Sequence, residues 1–259
     1  MKTLIDLDDT AVFALPTAVG VRAGVLLDGP QGWGEFSPPA DADDVLAARW
    51  LTAAMEPSTV GWPDPVRGRV PVATGASRAV VEVVDVDAAV AEIARLPVGI
   101  ELVELVCRNA ADAAGVRRRV DVPVAVDAEL ASVDPACADV AVLRCGPLGG
   151  VRRALRRAER LDLPAVVAFT GATSIGLAAD VALAAALPAL PFACGPVPEW
   201  LCRSDVVSES RSLVPADGHL PAAPMPAAPD SSQLARFAVA DAVTVGHWRA
   251  LLRRAAALL

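Results

Sequence analysis

The chain has one lysine, Lys2, among 259 residues, and every other one of its 23 Lys and Arg residues is arginine. A desolvated lysine ammonium can lose its proton and act as a base, whereas a guanidinium, with a pKa above roughly 12, stays charged. From position 3 onward, any chemistry that needs an amine base lacks it. Histidine is nearly as scarce: His219 and His247 are the only two, both in the C-terminal region. The five cysteines (Cys107, Cys137, Cys145, Cys194, Cys202) form no C-x-x-C pair and no metal-ligand spacing, so they read as buried thiols in a reducing compartment. No apolar run is long enough to span a bilayer; the richest, Ser174 to Pro191, is broken by Asp180 and Pro188. Acids at Asp6, Asp8 and Asp9 stand where a signal peptide needs its apolar core. These absences lead us to expect a soluble, cytoplasmic protein.

Positive charge is in deficit as well. A net charge of −8 argues against nucleic acid or an anionic membrane as a partner. The local clusters Arg117-Arg118-Arg119 and Arg152-Arg153…Arg156-Arg157 lie on expected helices and read as solvated faces.

What is present has two textures. Val21 to Phe36 reads as a hairpin turning at Asp28–Gly32, followed by a helix from about Asp41 to Met55 with acids in its first turn. Pro57 to Arg69 is rich in Pro and Gly and marks a boundary. Beyond it, short apolar strands alternate with helices: helix 86–96, strand 100–105, helix 110–119, strand 123–126, strand 140–144, helix 150–161, strand 165–168, helix 174–187 and strand 190–194. That alternation predicts an α/β class with parallel strands covered on both faces. A hairpin over 213–221 and a helix from about Thr244 close the chain. The helix carries Trp248, Leu251, Leu252 and Ala255 on one face for docking.

Four places carry candidate chemistry. Asp6-Leu7-Asp8-Asp9-Thr10 mimics the D-x-D-x-T strand of haloacid dehalogenase-like phosphatases, but that mechanism also wants a downstream lysine, and none follows. Cys145-Gly146-Pro147-Leu148-Gly149-Gly150 joins a strand to a helix, where backbone N–H groups at Gly149 and Gly150 can hold a carboxylate; tight packing explains the glycines equally well. Thr173 or Ser174 opens another helix, either as its N-cap or beside a ligand. Glu104 and Asp127 end successive strands and Glu82 lies in the apolar run Val80–Val84. Acids so placed converge on a barrel axis, as ligands for Mg²⁺ or as rim salt bridges.

Several blocks together resemble o-succinylbenzoate synthase of the enolase superfamily. They are Gly29–Pro38, Gly61-Trp62-Pro63, Val70-Pro71-Val72, Arg117–Pro123, Asp139–Arg144, Pro147–Gly150, Thr173–Ala179 and Ala193-Cys194-Gly195. The resemblance implies an α+β capping domain (1–69, with the tail 213–259 packing on it) and a shortened (β/α) barrel, closed or incomplete (70–212). It implies Mg²⁺-dependent loss of water from a cyclohexadiene carboxylate, giving o-succinylbenzoate for menaquinone. By this resemblance Glu104 and Asp127 are the second and third metal ligands; the first falls on Ala79 when aligned without a gap, and with a gap Glu82 is its stand-in. Arg144 falls on one catalytic lysine, and Gly149, Gly150 and Thr173 lie against a small carboxylate substrate.

Departures from the family pattern are concentrated at the site. The strand carrying the family's K-x-K pair has no counterpart. Residues 70–259 amount to 190, below the roughly 200 that a complete barrel needs. Ala168-Phe169 replaces a serine pair, Ala128 replaces an acid, and the loop between Pro16 and Val21 is short. Two readings follow: a synthase-like protein with an eroded active site, or a catalytically inactive paralogue acting as a binding or assembly protein. An unclosed sheet would expose pairing edges, so a homodimer is expected.

Overall fold

A computed structural model of the chain describes residues 5–18, 20–73, 77–130 and 132–259; Lys2 lies outside them. Element order is β1 (Ala11–Thr17), β2 (Gly20–Gly29), β3 (Gly32–Phe36), α1 (Asp44–Thr59), β4 (Arg69–Pro71), β5 (Arg78–Glu82), α2 (Val86–Ile93), β6 (Leu102–Val106) and α3 (Ala110–Arg117). It continues with β7 (Val124–Asp127), β8 (Val140–Leu143), α4 (Cys145–Leu148), α5 (Val151–Leu161), β9 (Ala165–Val167) and α6 (Ser174–Ala186). The chain ends with β10 (His219–Pro221), α7 (Ser231–Phe237) and α8 (Ala242–Ala256).

The first three strands form an antiparallel sheet in the order β1-β2-β3. Gly29 faces Gly32 across a two-residue turn, as the expected hairpin requires. The sheet lies on α1 so closely that a Cβ at Gly34 would fall 1.8 Å from the Ala54 carbonyl oxygen, so only glycine fits there. Asp43 caps α1, accepting a hydrogen bond from the Leu46 N–H at 2.7 Å. The helix runs past Met55 through Pro57 to Thr59, beyond its expected end. The last helix, α8, buries Leu251, Leu252 and Ala255 against Phe36, Ala47 and Leu51, which is the docking expected of its apolar face.

The second half is a five-stranded parallel sheet, β5-β6-β7-β8-β9, with α2, α3, α5 and α6 returning between or after its strands. Its strands are short and mostly buried because both faces are covered. Val103, Leu105, Val124, Val126, Ala141, Leu143 and Val167 face the helices. Leu102, Ala125, Val140, Val142, Val166 and Ala168 face inward with Phe192.

The expected strand over 190–194 contracts to one parallel bridge, Val72 to Cys194. There the chain joins β9, through Gly195 N–H to the Val167 carbonyl at 3.0 Å, to the end of β4. The expected 213–221 hairpin likewise contracts. Its turn survives in an Ala216–His219 bridge, with Asp217 and Gly218 at positive φ, but its strand, β10, pairs with β4 instead.

Among the described residues the barrel does not close. Residues 72–77 are all that separate β4 from β5, whereas a parallel crossover needs about a dozen or more. Among the described residues β5 pairs only with β6, which leaves Val80 on its inward face 60% exposed. This free edge is the one on which the homodimer expectation rests.

The docking of α8 is directly measurable. Leu252→Ala, at a fully buried position, should lower unfolding stability by about 2–5 kcal/mol in urea titrations. Val243→Ala, on the exposed first turn of the same helix, should stay within about 0.5 kcal/mol.

Candidate functional site

Alternation along parallel strands builds the site. Glu104 follows the inward-facing Leu102 by two residues, Asp127 follows Ala125, and Arg144 follows Val142, so all three sit on the inner face above an apolar floor. The ladders hold Glu104 beside Ala125 and Asp127 beside Val142, with Arg144 one residue past the end of β8. Strand ends of this kind are where (β/α) barrels place their chemistry.

The guanidinium of Arg144 donates through Nη1 to Asp127 Oδ2 and through Nη2 to Glu104 Oε1. A second guanidinium, Arg78 from β5, donates through Nη2 to Glu104 Oε2 and through Nη1 to the Gly195 carbonyl at 3.2 Å. Burial pushes the Glu104 carboxyl upward, but Arg144 and Arg78 more than offset it and hold it below the usual range. Arg144 is shifted upward, its own desolvation outweighed by the two acids.

Beside this cluster is a cavity of about 270 Å³, lined by Glu104, Leu105, Val106, Cys107, Val126, Asp127, Leu130 and Arg144. Burial pushes the Cys107 thiol up to about 11, so it stays protonated at neutral pH. Neither histidine lines this cavity: His219 lies on β10 with Nδ1 2.8 Å from the Asp217 carbonyl, and His247 lies on α8 beside Trp248.

The structure brings together Glu104, Asp127 and Arg144. Glu82 is placed apart, exposed at the end of β5. Gly149, Gly150 and Thr173 are also placed elsewhere, and their hydrogen-bonding groups are already engaged. The Gly149 and Gly150 N–H groups bond to Gly146 and Cys145 carbonyls at 3.0 and 2.9 Å, closing the short helix α4, which we read as a turn. The N-terminus of α5 just beyond them is filled by Glu56 of α1. Its carboxylate accepts from Val151 N–H at 2.6 Å and Arg152 N–H at 3.2 Å, and from the Arg152 guanidinium at 2.9 Å. A Cβ at Gly150 would sit 2.4 Å from that carboxylate, so the residue makes room for an internal anion.

Thr173 is fully buried as the N-cap of α6, accepting from Ile175 N–H at 3.2 Å. Its own N–H donates to Glu35 of β3 at 3.1 Å, as does Gly176 N–H at 3.0 Å. Burial raises the Glu35 carboxyl, and the nearby Arg22 offsets this in part.

Sequence reading missed Arg78, Glu35 and Glu56. Arg78 had a signal, since it shares the period-two face of Val80 and Glu82 once β5 is recognised. The two glutamates meet helices about a hundred residues downstream, and no local pattern announces that. The N-terminal Asp6, which mimics a phosphatase nucleophile, accepts instead from Asp8 N–H at 2.9 Å in a polar turn.

Comparison with known proteins fits this geometry. The enolase N-terminal domain-like family matches residues 17–58. The o-succinylbenzoate synthase of Thermobifida fusca (strain YX) is 38% identical over 81% of this chain and 86% of its own length. The chain belongs to the o-succinylbenzoate synthase family. That of Mycolicibacterium smegmatis is 34% identical over 89% of this chain and 90% of its own. Among solved structures, muconate lactonizing enzyme from Pseudomonas putida matches with a TM-score of 0.63 at 17% identity, covering 92% of this chain and 100% of that one. An isomerase from Streptomyces coelicolor A3(2) matches with a TM-score of 0.58 at 16% identity over 96% of this chain and 99% of that one. These show the enolase-superfamily fold: a capping domain on a barrel-like domain, here shortened.

Enolase-superfamily members generally use Mg²⁺, and in this o-succinylbenzoate synthase-like chain the donor set does not fit one. Among the described residues no group of three Asp, Glu, His or Cys stands where it could hold a metal ion. Both acids that the resemblance assigns as ligands carry guanidinium partners instead. Of the two roles open to them in the sequence, their contacts are those of rim salt bridges.

The seam between capping domain and barrel should respond to pH through Asp180 of α6. This buried carboxylate accepts from Cys145 N–H and Thr170 N–H at 3.0 Å each, yet burial pushes it up to about 6 against 3.8 for an ordinary aspartate. A raised carboxyl favours the folded state while it keeps its proton, so the contribution is full below 3.8 and lost as pH rises through 6. Relative to Asp180→Asn, the wild type should therefore gain about 2 kcal/mol between pH 7.5 and 4.5 in urea titrations. A difference that is flat with pH would contradict the assignment.

Proposed function

We propose that this o-succinylbenzoate synthase-like protein has an eroded active site whose turnover is negligible. It is a lyase by descent in which loss of water from the cyclohexadiene carboxylate, and with it a step toward menaquinone, no longer proceeds. The observation that carries this reading is that both helix N-termini able to receive a substrate carboxylate are filled by the chain's own glutamates, Glu56 on α5 and Glu35 on α6. A small acid entering the barrel would have to displace a buried internal anion.

Proton transfer supports the same reading. Dehydration of this kind begins with removal of hydrogen from carbon, and the described cavity lining offers no amine or imidazole to do it. Arg144 can steady a developing negative charge but cannot take a proton. Glu104 is a weakened base because two guanidiniums hold it ionised, and Cys107 is protonated. A positioned general base is typically worth about 10²–10⁴ in rate.

The test is direct assay of the purified full chain with the cyclohexadiene carboxylate, with and without Mg²⁺, beside Arg144→Lys. We expect conversion at the uncatalysed rate in both proteins. Conversion above that rate which disappears in Glu104→Gln would overturn the proposal.

A further inference from the structure

We propose that the site is metal-free by construction, with the Arg144 guanidinium standing where a divalent cation would bridge Glu104 and Asp127 and Arg78 completing the replacement. The accounting is by oxygen atom. Glu104 Oε1 accepts from Arg144 and Oε2 from Arg78; Asp127 Oδ2 accepts from Arg144 and Oδ1 from Glu129 N–H at 2.8 Å. All four carboxylate oxygens therefore have donors. Mg²⁺ takes oxygen ligands in a near-octahedral shell at about 2.0–2.1 Å, so it would have to strip these oxygens of N–H partners while facing two fixed cations. One planar guanidinium can span two carboxylates on adjacent strands, which a lysine ammonium, a point charge on a flexible stem, does less well.

Burial makes the replacement binding rather than incidental. The Arg78 side chain is 7% exposed and that of Glu104 is 5% exposed. Charges so buried persist only when paired, and removing one partner leaves the other uncompensated. Arg78 also reaches Gly195, beyond the last barrel segment, so the same cation ties β5 across the interior of the unclosed barrel. One chain of contacts, Gly195–Arg78–Glu104–Arg144–Asp127, thus both occupies the two acids and ties β5 to the segment after Cys194.

This inference concerns cation binding and stands apart from turnover. Mn²⁺, read by its electron paramagnetic resonance signal, is titrated into the full-length wild type, Arg144→Met and Arg144→Lys. The wild type should show no saturable binding at millimolar Mn²⁺. Arg144→Met, which frees Asp127 Oδ2 and Glu104 Oε1, should gain about tenfold or more in affinity, the scale on which a ligand's immediate neighbours tune metal binding. That gain should vanish in Arg144→Met with Asp127→Asn. Arg144→Lys keeps one cation there, serves if the Met variant does not fold, and should fall between the two. Saturable wild-type binding that is lost in Asp127→Asn overturns the proposal, as does a folded Arg144 variant with no gain. Synthase turnover without saturable Mn²⁺ binding would refute the proposed function while leaving this inference standing, and the converse result would separate them the other way.

Discussion

Carboxylates seated on helix N-termini hold this molecule together. Glu35 on β3 and Glu56 on α1 both belong to the first domain, and both insert into the barrel-like domain at the start of a helix. The exposed N–H groups and dipole of a helix start attract an anion, and here the anion is supplied covalently by the opposite domain. Burying a carboxylate is costly unless its oxygens are hydrogen-bonded. Glu35 meets that condition through Ser37, Thr173 and Gly176, and Glu56 through Val151 and Arg152. Docking and helix capping are therefore one set of contacts, and neither domain face is complete without the other.

The same economy governs the barrel interior. Period-two alternation delivers Glu104, Asp127 and Arg144 to one level whatever the function. What is particular to this chain is that acids and guanidiniums arrive in equal number at that level: Glu104 and Asp127, Arg78 and Arg144. Within this set of four the charges pair off, each acid with at least one guanidinium. With the helix N-termini also filled from within, the attractions by which a barrel of this kind would grip a small acid are spent on its own side chains.

Much of the fold was legible because it rests on local patterns. Alternating apolar strands and amphipathic or alanine-rich helices located β6, β7, β8, β9, α3, α5 and α6 to within a few residues, and Gly29–Pro38 carried the family resemblance. The short strands β4 and β5 went unread, and three further elements were illegible for identifiable reasons. β1 is an apolar run ending at Pro16 whose partner is known only once β2 is placed; α4 is four residues closed by Gly149 in a left-handed conformation, and it looks like a turn; α7 is a seven-residue helix with one buried residue, Phe237. At the site, spacing located Glu104, Asp127 and Arg144 but was silent on their mutual pairing. Thr173 was readable as an N-cap, while its second partner, Glu35, lies 138 positions away. Long-range carboxylate contacts leave no periodic trace.

The arginine at position 144 differs from a lysine in more than composition. Replacing a lysine by arginine keeps the charge but exchanges a titratable, mobile point for a rigid fork that seeks two acceptors. At the adjacent strand ends of β6 and β7 the Arg144 fork donates to both Glu104 and Asp127. A single lysine placed at position 144 would still leave no free acid pair, because the buried Arg78 holds Glu104 from the other side. The cluster is self-reinforcing: each guanidinium makes the other's carboxylate less available, and Arg78 reaches inward from β5, which among the described residues has only β6 beside it. Across the open side of the sheet, the Arg78 contacts to Gly195 and Glu104 supply an internal tie, which the Arg144 contacts extend to Asp127.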